Sequence, residues 1–285
     1  MSKNISPDRY SIFSILPIPY EKTTTFQKGT KNGPKAIINS FKYIEMYDIE
    51  EDIENHFKNI NILKPLKLPV NNPKSAMKII ENKITVLLND NKLPIILGGE
   101  HTISAGTVPA FYNKFKKKLS ILHFDAHADL RESYLGSKFN HACALKRMRD
   151  YCKNTVSIGI RSMDISEKKL IKKENILIFD DYYIHKNGVP IKKINNNLTK
   201  NVFISLDVDV LSPSLLPDTG TPEPGGFGWY DLINILKSII KEKNIVGIEV
   251  VELRPSKYSA ASSYIIAKII YKIITYIVKH NMDTL

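Results

Sequence analysis

Ile121-Leu122-His123-Phe124-Asp125-Ala126-His127-Ala128-Asp129 decides how the chain is read. An apolar run enters the stretch, and Asp125, His127 and Asp129 then follow at every second position. Side chains of extended backbone alternate between faces, so residues i, i+2 and i+4 point the same way. Three groups able to ligate a metal therefore share one face at the end of a buried strand. His123, inside that strand, reads as a packed histidine outside the ligand set. The chain repeats the device at Phe203-Ile204-Ser205-Leu206-Asp207-Val208-Asp209, where an apolar run ends in two carboxylates.

Outward from these two stretches, apolar runs alternate with helical patterns. Strands are expected at 10–19, 93–97, 119–124, 155–160, 176–179, 202–206 and 245–251. Helices are expected at 35–42, from Pro73 onward, from Thr102 as N-cap to 115, and at 141–151, 166–173, 190–198, 229–240 and 259–279. Residues 43–72 read as a short strand with irregular connections, and 130–140 and 211–228 as loops. Strands without a polar face, alternating with helices, predict a parallel sheet covered on both sides. No linker divides the chain, so 1–285 is read as a single α/β domain.

The composition, 43% hydrophobic and 25% charged, is that of a soluble globular protein able to bury a large core. The net charge of +12 raises the question of nucleic acid. The lysines lie scattered in short runs such as Lys116-Lys117-Lys118, with no basic arm, so no nucleic-acid partner is expected. Cys143 and Cys152 are too few for a disulfide framework and lack ligand spacing. The first residues carry no apolar leader, and Lys268 and Lys272 interrupt the apolar stretch 264–278. The expectation is a cytoplasmic protein with no membrane partner. His56, His185 and His280 sit in polar contexts and read as surface residues.

Functional groups in open α/β sheets gather at the carboxyl ends of strands. Here those ends carry His101, then Asp125, His127 and Asp129, then Asp207 and Asp209, then Glu252. His101 alone, after Gly98-Gly99-Glu100, reads more readily as a turn or cap residue than as a ligand. Asp207 and Asp209 alone read equally as a strand-end turn or a magnesium site. Gathered on one edge, four buried carboxylates would repel unless cations offset them. Two divalent ions do so, and carboxylates mixed with imidazoles suit Mn²⁺, with zinc, iron, cobalt or nickel also compatible.

With Gly98-Gly99-Glu100-His101, Asp125-Ala126-His127-Ala128-Asp129, His141-Ala142, Ser205 to Asp209, Thr219-Gly220-Thr221-Pro222 and Val251-Glu252 in this order, the chain resembles the ureohydrolase family, the arginase and agmatinase group. The resemblance runs from Gly29 to about Tyr258. It implies a three-layer α/β/α, arginase-like fold with a central parallel sheet, two Mn²⁺ per subunit and release of urea from a guanidino group. It assigns His101, Asp125, Asp129 and Asp207 to one ion. Asp125, His127, Asp207 and Asp209 fall to the other, with Asp125 and Asp207 bridging. Water between two cations yields hydroxide near neutral pH, which can attack a guanidinium carbon. Asp129 or Asp209 would carry the proton onward, and His141 is the candidate general acid or proton shuttle. Glu252 would pair with the guanidinium and Thr221 would line the pocket.

Gly136-Ser137-Lys138-Phe139-Asn140-His141 and Gly159-Ile160-Arg161-Ser162 are similar to agmatinases rather than arginases. Asn140 and Asp164, with Glu167 beside them, are the candidate contacts for the rest of a small cationic guanidino substrate. The expected reaction is hydrolysis of agmatine to putrescine and urea. The alternatives are another guanidino compound (arginine, guanidinobutyrate, guanidine) or a metal-binding regulator without turnover. Family resemblance also implies a homo-oligomer, a trimer or hexamer. Glu100, Ser212 and Glu249 depart from the family pattern, each standing where Asp is usual.

Overall fold

Ile-, Leu- and Val-rich segments with no polar face must be covered on both sides, and here they pair into one sheet. The computed structural model describes residues 12–54 and 60–281. Its strands are β1 (Phe13–Ile18), β2 (Tyr47–Asp48), β3 (Ile53–Glu54), β4 (Ile60–Ile62), β5 (Leu93–Gly98), β6 (Leu119–Phe124), β7 (Thr155–Ile160), β8 (Leu177–Asp180), β9 (Asn201–Asp207) and β10 (Asn244–Val251). Its helices are α1 (Gly33–Ser40), α2 (Pro73–Asn89), α3 (Ser104–Phe115), α4 (Ala144–Arg149), α5 (Ile165–Glu174), α6 (Asp181–Asn187), α7 (Ile191–Asn197), α8 (Trp229–Glu242) and α9 (Ala261–Asn281).

Eight strands form a sheet in the order β4-β1-β5-β10-β9-β6-β7-β8, paired in parallel throughout. β2 and β3 make a separate antiparallel pair. Alternation along each strand feeds two cores. Val202, Ile204 and Leu206 of β9 join one with α8 and α9, while Phe203 joins the other with α2 and α3. The result is three layers, helices over both faces of a parallel sheet.

Chain order and sheet order part company at the centre. The connection from β5 through α3 to β6 leaves a gap of two strands, which β9 and β10 fill much later. The carboxyl ends of β5, β10, β9 and β6 thus lie side by side at a topological switch, where open α/β sheets bind ligands.

Several elements differ from expectation. Thr102 is not an N-cap: His101–Ile103 form a 3-10 turn and α3 begins at Ser104. The Thr102 hydroxyl instead donates to Glu100 Oε2. The helix expected at 141–151 divides into a 3-10 turn, His141–Cys143, and α4. α6 falls where no helix was expected, with the Asp180 side chain accepting from Tyr183 N at 2.8 Å and Gly188 ending it. Residues 10 and 11 of the first expected strand, and His56, lie outside the described residues.

Lys268 and Lys272 do not break α9. The helix is long and apolar enough to cross a membrane, yet 72% of that stretch is buried inside the protein. Lys272 is buried too, its ammonium 2.8 Å from both Asp48 carboxylate oxygens. α9 is a core helix whose one buried charge is paired.

Candidate metal centre

Each ligand-type side chain leaves from the end of a central strand. His101 Nδ1 lies 3.1 Å from Asp125 Oδ2 and 3.3 Å from both Asp129 Oδ2 and Asp207 Oδ2. His127 Nδ1 lies 2.9 Å from Asp209 Oδ2 and 3.7 Å from Asp125 Oδ1. Backbone amides hold the carboxylates in place: His127 N donates to Asp125 Oδ1 at 2.6 Å, Ala126 N to Asp209 Oδ1 at 3.0 Å, and Asp209 N to Asp207 Oδ1 at 3.0 Å. Asp129 (φ 51°) and Glu252 (φ 66°) adopt left-handed backbone. L residues rarely do so outside functional sites and turns.

Burial and mutual charge shift the titration of the clustered groups. Burial, then the charge of Asp125, pushes the Asp129 carboxyl up to about 7. Burial, then Asp209 and Asp125, drives Asp207 well above the usual carboxylate range. Burial alone would lower His101, but Asp125, Asp129 and Asp207 outweigh it and leave the imidazole well above its ordinary value. His127 is raised likewise, against burial, by Asp209 and Asp125. Carboxylates and imidazoles whose proton affinities rise together, around an Asp125 carboxyl shifted well down, mark a cluster with an excess of negative charge.

Cations would offset that charge. His101 Nδ1, Asp125 Oδ2 and Asp209 Oδ2 are buried with no hydrogen bond. Atoms of Asp125, His127 and Asp209, and separately of His101, His123 and Asp125, lie within 4.8 Å of one another. Carboxylate oxygens and imidazole nitrogens left without partners fit divalent metal ions.

The second of those groups includes a residue outside the expected ligand set. His123 is buried, as read from the sequence, but it faces the cluster. Its Nε2 lies 3.0 Å from Asp125 Oδ2, its Nδ1 3.2 Å from Ser157 Oγ, and its ring stacks on His101 at 5.4 Å. The signal was local: His123 precedes Asp125 by two residues and so shares its face of the strand.

Beside the cluster opens a cleft of about 300 Å³, lined by Thr25, His127, Asp129, Arg131, His141 and Thr221 among others. His141 enters it at the 3-10 turn. Its amide donates to Thr23 Oγ1 at 3.1 Å, and its Nε2 meets Thr25 Oγ1 at 3.0 Å. Burial, then the charges of His127 and His101, hold its imidazole down at about 4. Glu100 anchors the threonines, accepting from the Thr23 amide at 2.5 Å and from the Thr23 and Thr102 hydroxyls at 2.5 and 3.0 Å. Glu252 is buried, with Oε1 accepting from His101 N at 2.7 Å and Oε2 facing Gly220.

Three candidate substrate contacts have local duties. Asn140 Oδ1 accepts from Ala142 N at 3.0 Å, capping the turn that carries His141. Asp164 caps α5, its Oδ1 accepting from Ser166 N at 2.8 Å and from Ser166 Oγ, with Arg131 3.8 Å from its Oδ2. Glu167, in the same capping box, also accepts from Leu130 N at 2.7 Å. Asp164 and Glu167 still border the cleft; Asn140 is turned into the loop. Of the departures, Glu249 accepts from Ser205 at 3.3 Å and from Ser104 beneath the cluster.

A model of the arginase family matches residues 11–275. The chain belongs to the arginase family. Members are two-metal hydrolases of guanidino groups, and this chain is a hydrolase of that class. It is 33% identical over 268 residues to the N(1)-aminopropylagmatine ureohydrolase of Synechocystis sp., covering 92% of this chain and 88% of that one. It is 32% identical to the agmatinase of Pyrococcus horikoshii, covering 92% and 90%. The agmatine ureohydrolase of Thermoplasma volcanium superposes with a TM-score of 0.87 at 27% identity, covering 97% of this chain and 93% of the other.

Within this arginase-family site, sequence reasoning passed over Thr23 and Thr25. Their contacts with His141 join positions more than a hundred residues apart, and no local period marks them.

Proposed function

We propose that the protein hydrolyses agmatine to putrescine and urea. The observation that carries the reading is the convergence of His101, His127 and four aspartates beside a cleft that His127, Asp129 and His141 line together. Two Mn²⁺ bound there would supply a water acidic enough to attack the guanidinium carbon at neutral pH. His101, Asp125, Asp129 and Asp207 would hold one ion, and Asp125, His127, Asp207 and Asp209 the other. The oxygen-rich donor set with two imidazoles supports manganese.

The protein's own groups do the rest. Glu252 takes the planar guanidinium through its carboxylate, and Thr221 orients it from the facing loop. Asp129 or Asp209, both within the cluster, takes up the proton that the attacking water sheds. His141, held neutral by burial, must first receive that proton from the aspartate and can then deliver it to the departing amine. Thr25 keeps its ring turned toward the cleft.

A second reading is favoured by the Synechocystis relative: N(1)-aminopropylagmatine, which carries the same guanidino end and a longer polyamine tail. Asp164 and Glu167 at the mouth would serve the tail of either substrate. Urea release by the Mn²⁺-loaded protein from agmatine, aminopropylagmatine, arginine, guanidinobutyrate and guanidine tests both. Agmatine is expected to give the highest kcat/KM. Urea from none of the five would refute the proposal.

A further inference from the structure

Glu223, on the loop after β9, has no part in the site as described so far. His127 commits its two ring nitrogens in opposite directions. Nδ1 points into the cluster, 2.9 Å from Asp209 Oδ2, while Nε2 lies 3.5 Å from Glu223 Oε1. A histidine that ligates a metal through one nitrogen usually presents the N–H of the other to a carboxylate or carbonyl, which fixes the tautomer and the ring.

The backbone of Glu223 is anchored to the same ligand set. Arg161 Nη2 donates to Asp209 O at 2.7 Å and to Glu223 O at 3.1 Å. Its Nε donates to Pro224 O at 2.9 Å and its Nη1 to Gly159 O at 3.2 Å. One guanidinium thus ties the end of β7, the ligand Asp209 and the loop that carries Glu223. The following glycines permit the approach. Gly226 has φ +88°, and a Cβ there would meet Val210 O at 2.7 Å and Arg161 Nη2 at 2.8 Å. The loop closes around Arg161 only because these positions lack side chains.

We propose that Glu223 is a positioning residue of the metal centre. It holds His127 in the tautomer that keeps the Nδ1 lone pair for the ion, and Arg161 sets Glu223 at that distance. The inference rests on the metal-centre reading above.

The test is calorimetric titration of metal-free wild type, E223A, E223Q and R161K with Mn²⁺, with melting curves of each metal-free protein to check folding. Wild type is expected to bind two ions. E223A is expected to bind one of them about 10–100-fold more weakly. E223Q keeps an oxygen to accept from Nε2 and is expected to stay close to wild type. R161K cannot span the same carbonyls and is expected to weaken the same ion. Affinities unchanged in E223A and R161K would overturn the inference. So would intact metal binding in E223A with a raised KM for agmatine, which would make Glu223 a substrate contact. Failure of the wild type itself to bind two ions would instead refute the metal-centre reading.

Discussion

His141, the proposed proton carrier, is where turnover and metal binding are expected to separate. It is not among the proposed ligands: its amide donates to Thr23 Oγ1 and its Nε2 meets Thr25 Oγ1. His141→Asn is therefore expected to lower kcat by about 10²–10⁴-fold, the usual worth of a positioned proton carrier, and to leave metal content unchanged. Steady-state kinetics with metal analysis on one sample checks it; an unaltered kcat would remove His141 from the mechanism. The proposed ligands predict a pH dependence. Asp129 at about 7, Asp207 raised, and His101 and His127 raised all hold protons that a metal must displace. Mn²⁺ affinity is expected to rise between about pH 6.5 and 8.5 with proton release, read by titration in buffers of different ionisation enthalpy.

At the scale of elements, α9 shows how a charge is kept inside a core helix. Lys272 reaches Asp48 beside the short β2–β3 pair and also lies 2.7 Å from Glu50. Lys272→Ala would leave the buried Asp48 carboxylate without its cation. A loss of about 3–5 kcal/mol is expected from urea unfolding, the usual cost of breaking a buried pair from one side. A loss near zero would mean that solvent reaches Asp48. Elements with a strong local period were legible in sequence: α2 begins at Pro73, and β6 spans the 119–124 expected of it. α6 was not, because it is seven residues long and is set by its cap rather than by an apolar stripe.

For the whole molecule, the cluster makes metal and stability one problem. Groups whose folded pKa is raised bind more protons folded than unfolded, so stability falls as pH rises through that window. From about pH 6.5 to 8.5, His101, His127, Asp129 and Asp207 all act in this direction. His141, lowered by burial, opposes it only below its ordinary value near 6.5. The metal-free protein is expected to melt lower at pH 8.5 than at 6.5. Mn²⁺ is expected to restore more at the higher pH, where it binds more tightly. Scanning calorimetry with and without chelator measures both; a metal-free melting point that rises with pH would contradict the assignment of these groups.

The residue types at the strand ends, the face that Asp125, His127 and Asp129 share, and the parallel sheet were all determined by the sequence alone. They follow from backbone periods that any short segment carries with it. Tertiary structure decided which strands became neighbours, pairing Ile95 of β5 with Ile248 of β10 and Leu119 of β6 with Asn201 of β9. It decided that His123 meets Asp125 and His101, that Asp164 spends one oxygen on capping α5, and that Glu223 stands behind His127. Except for the period-two signal at His123, those relations come from loop closure and packing between distant segments, which no local pattern encodes.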